Sequence, residues 1–235
     1  MNLNTDLVNH KAFELPICSK IQNLSQEYRV LATLRFLYPG KYDSMIKAEA
    51  PDLQDVNNGV GIEVTVAVRE KDMEASRALL ELCQHESVSK KDSKGIIEKC
   101  GYSLVQMNDS GFMISTLGTS GGEYAVFRRN MINKSKKLPR YRSLFNNVGL
   151  AILLQEIPTT FAENNIPKWI SKLNGTETEK YDFIYVISHR FCIYFDALAN
   201  ITEKKPLTQN ETRLLSTIGR MTAEGELSLD SIEWR

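Results

Sequence analysis

The chain has 235 residues, 42% of them hydrophobic and 25% charged, an ordinary globular composition that excludes a low-complexity or fibrous protein. The basic and acidic side chains number 29 each and cancel, which argues against a nucleic-acid binder driven by overall charge. A chain of this length buries roughly 70% of the surface it exposes when unfolded, and suits one large α/β domain with a small insertion.

In chain order, Ser19 to Tyr38 places Ile21, Leu24, Tyr28, Leu31, Leu34 and Leu37 at helical spacing, and Pro39-Gly40 ends that helix. Ile46 to Ala50 reads as a short strand closed by Pro51, and Asn57-Asn58-Gly59 as a turn. Gly61 to Val68 (GIEVTVAV) is rich in β-branched residues and is the clearest strand. Lys71 to Gln84 is helical. Residues 85–122 are expected to form an insertion within a single domain, with a helix near Ile96-Ile97 and hairpin strands Tyr102–Met107 and Phe112–Thr116. Glu123 to Lys137 reads as a long helix stopped by Pro139, Val148 to Gln155 as an apolar strand, and Pro167 to Leu173 as a short helix broken by Asn174-Gly175. Strands at Tyr181–Ser188 and Phe191–Phe195 and a helix at Asn210–Glu224 complete the order. Strands alternating with helices imply a mixed β-sheet flanked by helices on both faces.

Cys18, Cys83, Cys100 and Cys192 lie far apart, without a CxxC pair or a nearby histidine, and read as reduced thiols of a cytoplasmic protein. The opening MNLNTDLVNHK has no apolar run, so no secretory signal is expected. The longest apolar runs, such as Val148 to Leu154, are far below the roughly 18 residues of a membrane span.

Alternation on the GIEVTVAV strand puts Glu63, Thr65 and Ala67 on one face, and Ile62, Val64, Val66 and Val68 on the other. A carboxylate in so apolar a strand is costly unless it is paired, hydrogen-bonded or bound to a metal. The alternative is that this face is solvated. Asp52 lies eleven residues upstream across a turn, where an adjacent strand brings it beside Glu63. Two such carboxylates suit Mg²⁺ or Mn²⁺, hard ions that take oxygen donors. Phosphoryl chemistry at such a metal wants a lysine nearby.

Pro51-Asp52, ten further residues and Glu63-Val64-Thr65 resemble the PD-(D/E)xK nuclease superfamily, with its restriction-endonuclease-like fold. The resemblance spans about Ser19 to Phe195. It implies a metal-dependent nuclease, with DNA as the expected substrate, Asp52 and Glu63 as metal ligands and Glu27 of the preceding helix as an additional one. It also implies a possible homodimer and a place in restriction, repair or phage defence. The family's lysine is replaced by Thr65, whose hydroxyl can orient a water but carries no charge. The segment from Asn133 to Tyr141 (NKSKKLPRY) is similar to the part of some relatives that supplies a displaced lysine. Lys134 and Lys137 are three residues apart and share a helix face, so either is a candidate for the catalytic charge.

Between Arg128 and Arg142 there are seven cations and no acid. Arg128, Arg129, Lys136, Arg140 and Arg142 are candidate nucleic-acid contacts, the alternative being a solvated helix face. His10, His85 and His189 are scattered and carry no expected role. Gln54 and Asp55 read as turn caps or outer partners of the metal. Ser120-Gly121-Gly122-Glu123 reads as a helix start without P-loop spacing. Tyr38, Tyr42, Trp169 and Tyr185 are expected in or near the core. Two rivals remain: a protein of the same fold that binds nucleic acid or a protein partner without cutting, and an α/β enzyme acting on a small phosphate-containing substrate.

Overall fold

The structure, a computed structural model, describes residues 19–68, 70–84, 90–108, 111–116, 123–154, 159–176 and 180–234. Cys18, His10, His85 and the Ser120–Gly122 segment lie outside these residues. The chain divides into two compact units, the residues up to Ala67 with those from Arg128 onward, and Val68–Phe127.

The first unit is a mixed α/β body built on a seven-stranded sheet. Its elements are α1 (Ser19–Leu37), β1 (Ile46–Lys47), β2 (Leu53–Asp55) and β3 (Val60–Ala67). After the second unit come β6 (Asn147–Leu154), β7 (Phe183–Ile187), β8 (Phe191–Asp196) and β9 (Ile201–Pro206). The strand order is β1-β2-β3-β6-β7-β8-β9; β3, β6 and β7 run parallel, and the other neighbours pair antiparallel.

The parallel register places Ile62, Val64, Ala151, Leu153, Tyr185 and Ile187 on one face of the sheet. These pack with Val30, Leu31 and Leu34 of α1 and with Leu215 and Ile218 of α7 (Gln209–Ala223) into one buried cluster. The two helices cross closely, because a Cβ at Gly219 would stand 2.7 Å from the backbone oxygen of Ser25. Arg35 of α1 is only 4% exposed. Its guanidinium donates to the carbonyls of Tyr42, Asp43 and Met45 and to Asp230, and so ties α1 to the loop before β1 and to the chain's end.

The opposite face carries Glu63 and Thr65 together with Leu150, Ile152, Ile184 and Val186, all buried. The chain reaches it through α4 (Glu123–Ser135), the short α5 (Leu138–Arg142) and α6 (Thr159–Thr176).

Several boundaries differ from the sequence reading, each for a local reason. Glu123 to Lys137 is not one helix: α4 ends at Ser135, and Pro139 stands in the first turn of α5 rather than stopping a helix. A proline there gives up no helical hydrogen bond. Pro167 lies inside α6, not at its start, and the helix continues past Asn174-Gly175. Buried Ile166, Ile170 and Leu173 anchor it, which outweighs the loss of one backbone donor. The strand expected from Ile46 to Ala50 covers only Ile46–Lys47, and β2 is an element the sequence reading lacks. So is β9, whose ITEKKP sequence is polar and almost wholly exposed, with lysines and a proline as befits a sheet edge.

The second unit holds α2 (Glu70–Gln84), α3 (Lys90–Lys99) and a hairpin of β4 (Tyr102–Asn108) and β5 (Gly111–Thr116). Ala75, Ala78, Leu82, Ile97, Cys100 and Tyr102 form its own small core. The Tyr102 hydroxyl donates to the buried carboxylate of Asp72. The unit begins before the Lys71–Gln84 helix, so it is wider than the insertion expected at residues 85–122. Among the described residues, no helix is long and apolar enough to cross a membrane.

Candidate active site

β2 pairs with β3 only as far as Leu53 opposite Ile62. Beyond that point the Asp52 carboxylate takes over from the strand, and its Oδ2 accepts the Val64 N–H at 2.7 Å. A Cβ at Gly61 would stand 2.6 Å from the Pro51 ring, so the glycine lets Pro51, and Asp52 with it, lie against β3. Local chain geometry thus brings the first acid to the strand that carries the second.

Glu63 is 0% exposed. Its Oε1 accepts from Lys134 Nζ at 2.6 Å and from Lys137 Nζ at 2.7 Å, and its Oε2 accepts from the Tyr141 hydroxyl at 2.6 Å. Lys134 comes from the last turn of α4, Lys137 precedes α5, and Tyr141 lies within it. The short break between α4 and α5 keeps all three close together, so both lysines and the tyrosine reach the same carboxylate from two successive helices. The buried charge is therefore paired and hydrogen-bonded, the condition under which a carboxylate tolerates an apolar strand.

Electrostatics distinguish the acids. Burial pushes the Glu63 carboxyl upward, but its bonds from Lys134, Lys137 and Tyr141 outweigh burial and leave it below the usual range. Asp52 lies above its usual range because of burial and the neighbouring Glu63 charge, against the Val64 N–H and the two lysines. Glu27 is raised by burial and by the Asp52 charge, despite its ion pair with Lys47 at 3.6 Å. Lys137 is raised, first by its bond to Glu63. Tyr141 is raised by burial and by its donation to Glu63.

Two further groups adjoin the acids. The Thr65 hydroxyl donates to Asn130 Oδ1 of α4 at 3.1 Å. Tyr181 is 1% exposed, and its hydroxyl has no hydrogen-bond partner among the described residues. Burial and then the charges of Glu63, Tyr141 and Asp52 push its phenol upward, which puts it within their field. Asn174 of α6 holds the Tyr181 backbone in place, donating to its carbonyl and accepting its N–H, both at 3.1 Å.

Sequence reasoning assigns no role to Tyr141 or Tyr181. The spacing from Lys134 to Tyr141 is a usable signal for the first; nothing in the sequence marks the second. Arg142 is engaged by Asp182, at 2.8 and 3.0 Å, and by the Lys180 carbonyl. Arg128, Arg129, Lys136 and Arg140 are exposed. Asp55 caps its turn, accepting from Ser44 and from the backbone and side chain of Asn58. Tyr42 and Tyr185 are buried and join their hydroxyls at 2.6 Å, and His189 is exposed.

The donor set fits a hard divalent cation. Mg²⁺ is commonly held by only one or two carboxylates and keeps several waters, and Asp52 and Glu63 are two carboxylates close enough for the charge of one to act on the other. The orphaned Tyr181 hydroxyl supplies a further polar group in their field. Among the described residues, no three or more His, Cys, Asp or Glu side chains gather tightly enough to hold a metal by themselves. Compared with known proteins, the chain matches no protein-family model, no curated protein and no solved structure.

The Tyr141 bond offers a direct measure of how strongly the helix grips the acid. Tyr141→Phe removes the only donor to Glu63 Oε2 among the described residues and is expected to cost about 1–3 kcal/mol of stability. Urea denaturation checks this, and an unchanged midpoint would show that water replaces the hydroxyl.

Proposed function

We propose that the chain is a metal-dependent nuclease of the PD-(D/E)xK, restriction-endonuclease-like type, acting on phosphodiester bonds in DNA. The observation that carries the reading is the convergence of Lys134 and Lys137 on the buried Glu63 carboxylate, with Asp52 near enough to feel the charges of all three. The motif lacks a lysine at Thr65, and two lysines from the α4–α5 segment reach Glu63 instead. When bound at Asp52 and Glu63, Mg²⁺ or Mn²⁺ supplies Lewis-acid activation of water and neutralises charge on the phosphoryl group.

The chain's own residues do the rest. Glu63 and Asp52 provide hard oxygen donors at a fixed separation, because one is set in β3 and the other is bonded to its backbone. Lys137 is half-exposed and places an ammonium at the mouth of the site, where it meets a phosphate oxygen. Thr65, on the same face of β3 as Glu63, is held by Asn130. Exposed Arg128, Arg129, Lys136 and Arg140 provide positive charge along the same segment for the nucleic-acid backbone.

The test is cleavage of plasmid DNA and of RNA with Mg²⁺ and with Mn²⁺, each repeated in excess EDTA. Metal-dependent nicking or linearisation is expected. Cleavage that persists in EDTA would sink the metal mechanism. A second reading has its own observation, the engagement of Glu63 by two ammoniums and a hydroxyl. On that reading the network is structural, and the protein binds nucleic acid or a partner without cutting; DNA binding without cleavage under every metal condition is its signature.

A further inference from the structure

A carboxylate offers about four lone-pair positions, and three are taken on Glu63: two on Oε1 by lysines and one on Oε2 by Tyr141. Tyr141 is 2% exposed and sits inside a helix, so Oε2 is firmly held. One position stays open on Oε2, whereas a cation that draws on Oε1 meets an ammonium.

The two lysines are not equivalent. Lys134 donates to Glu63 at 2.6 Å, and its charge also acts on Asp52, just before β2, and on Glu27 of α1. The charges that act on Glu27 are those of Asp52, Lys47 and Lys134. Lys137 acts on Glu63 and Asp52 and is the more exposed, 50% against 25%. The orphaned hydroxyl of Tyr181, buried in the field of Glu63 and Asp52, is an independent sign that this cluster takes another polar group. An ammonium on a flexible four-carbon stem is a compact charge that can withdraw without moving the backbone. With a quarter of its side chain exposed, Lys134 has a route to water.

We propose that the Lys134 ammonium occupies the position a divalent cation takes between Glu63 and Asp52, so that metal binding expels Lys134 from Glu63. The inference rests on the metal-dependent reading of the site. It makes Lys134 a built-in occupant: without metal it neutralises the buried acids and keeps the site closed to a cation, and with metal it is released to contact a phosphate.

Isothermal titration of Mn²⁺ into the full chain tests this without any measure of cleavage. Lys134→Met should bind Mn²⁺ about tenfold more tightly than wild type, about 1.4 kcal/mol, whereas Lys137→Met should shift affinity by less than about threefold. Lys134→Gln keeps a donor for Glu63 and should also tighten binding, which guards against misfolding of the methionine variant; circular dichroism confirms the fold of each. The rise in melting temperature on adding Mn²⁺ should be largest for Lys134→Met. Equal tightening in both methionine variants would reduce the effect to a general field, and weaker binding in Lys134→Met would make the lysine a supporter of the metal; either result overturns the proposal alone. Absence of Mn²⁺ binding in every variant overturns the metal-dependent reading together with it.

Discussion

Glu63→Ala is expected to cost the fold about 3 kcal/mol, the lower end of the penalty for removing one partner of a buried ion pair. Three donors lose their shared acceptor at once: two ammoniums and the buried hydroxyl of Tyr141. The lower end applies because Lys134 and Lys137 retain 25% and 50% of their side-chain exposure and can turn to water. Glu63→Gln separates structure from chemistry. The amide keeps the shape and one carbonyl oxygen, so the fold survives, while the hard anionic donor is gone. Loss of an outer partner of a metal commonly costs 10- to 100-fold, so loss of the carboxylate itself should lower metal-dependent cleavage by at least about a hundredfold. Urea denaturation of the alanine variant and plasmid cleavage by the glutamine variant are the measurements. A Glu63→Gln protein that cuts like wild type removes Glu63 from the chemistry.

Lys137→Ala is expected to lower turnover by about a hundredfold or more, the usual cost of removing one preorganised group that meets developing charge. Its half-exposed ammonium stands 2.7 Å from Glu63, near the proposed metal position yet open to an incoming phosphate. Metal affinity, read by titration, should not weaken, because an ammonium is no metal ligand. Single-turnover cleavage at saturating Mg²⁺ isolates the effect. Turnover unchanged in both Lys137→Ala and Lys134→Ala would remove both lysines from the chemistry.

The residues themselves mark β3 most clearly. A run of β-branched side chains interrupted by one glutamate is legible because burial of an unpaired carboxylate is so costly that some compensation has to exist. The helices α1 and α7 follow from local spacing and are also legible, whereas the reciprocal cap of Thr208 and Glu211 that starts α7 is a finding of the structure. The short β2 and exposed β9 are not, since neither carries an alternating apolar pattern and both are strands only because a neighbour offers backbone partners. The same holds for α6, where the packing of Ile166 and Ile170 carries a helix through Pro167 against its local preference.

For the site, sequence by itself determined that Glu63 interrupts an apolar strand and that Asp52 lies eleven residues upstream. Lys134 and Lys137 are candidates through the resemblance of their segment to a nuclease family, and their spacing adds a shared helix face. Which of the acids is compensated, and by what, only the tertiary structure decided. Residues 71 and 74 positions apart in sequence close on Glu63 Oε1, Tyr141 takes the other oxygen, and Asp52 turns to the Val64 N–H. Contacts across such separations depend on where the sheet places β3 relative to α4 and α5, and no local periodicity encodes that distance.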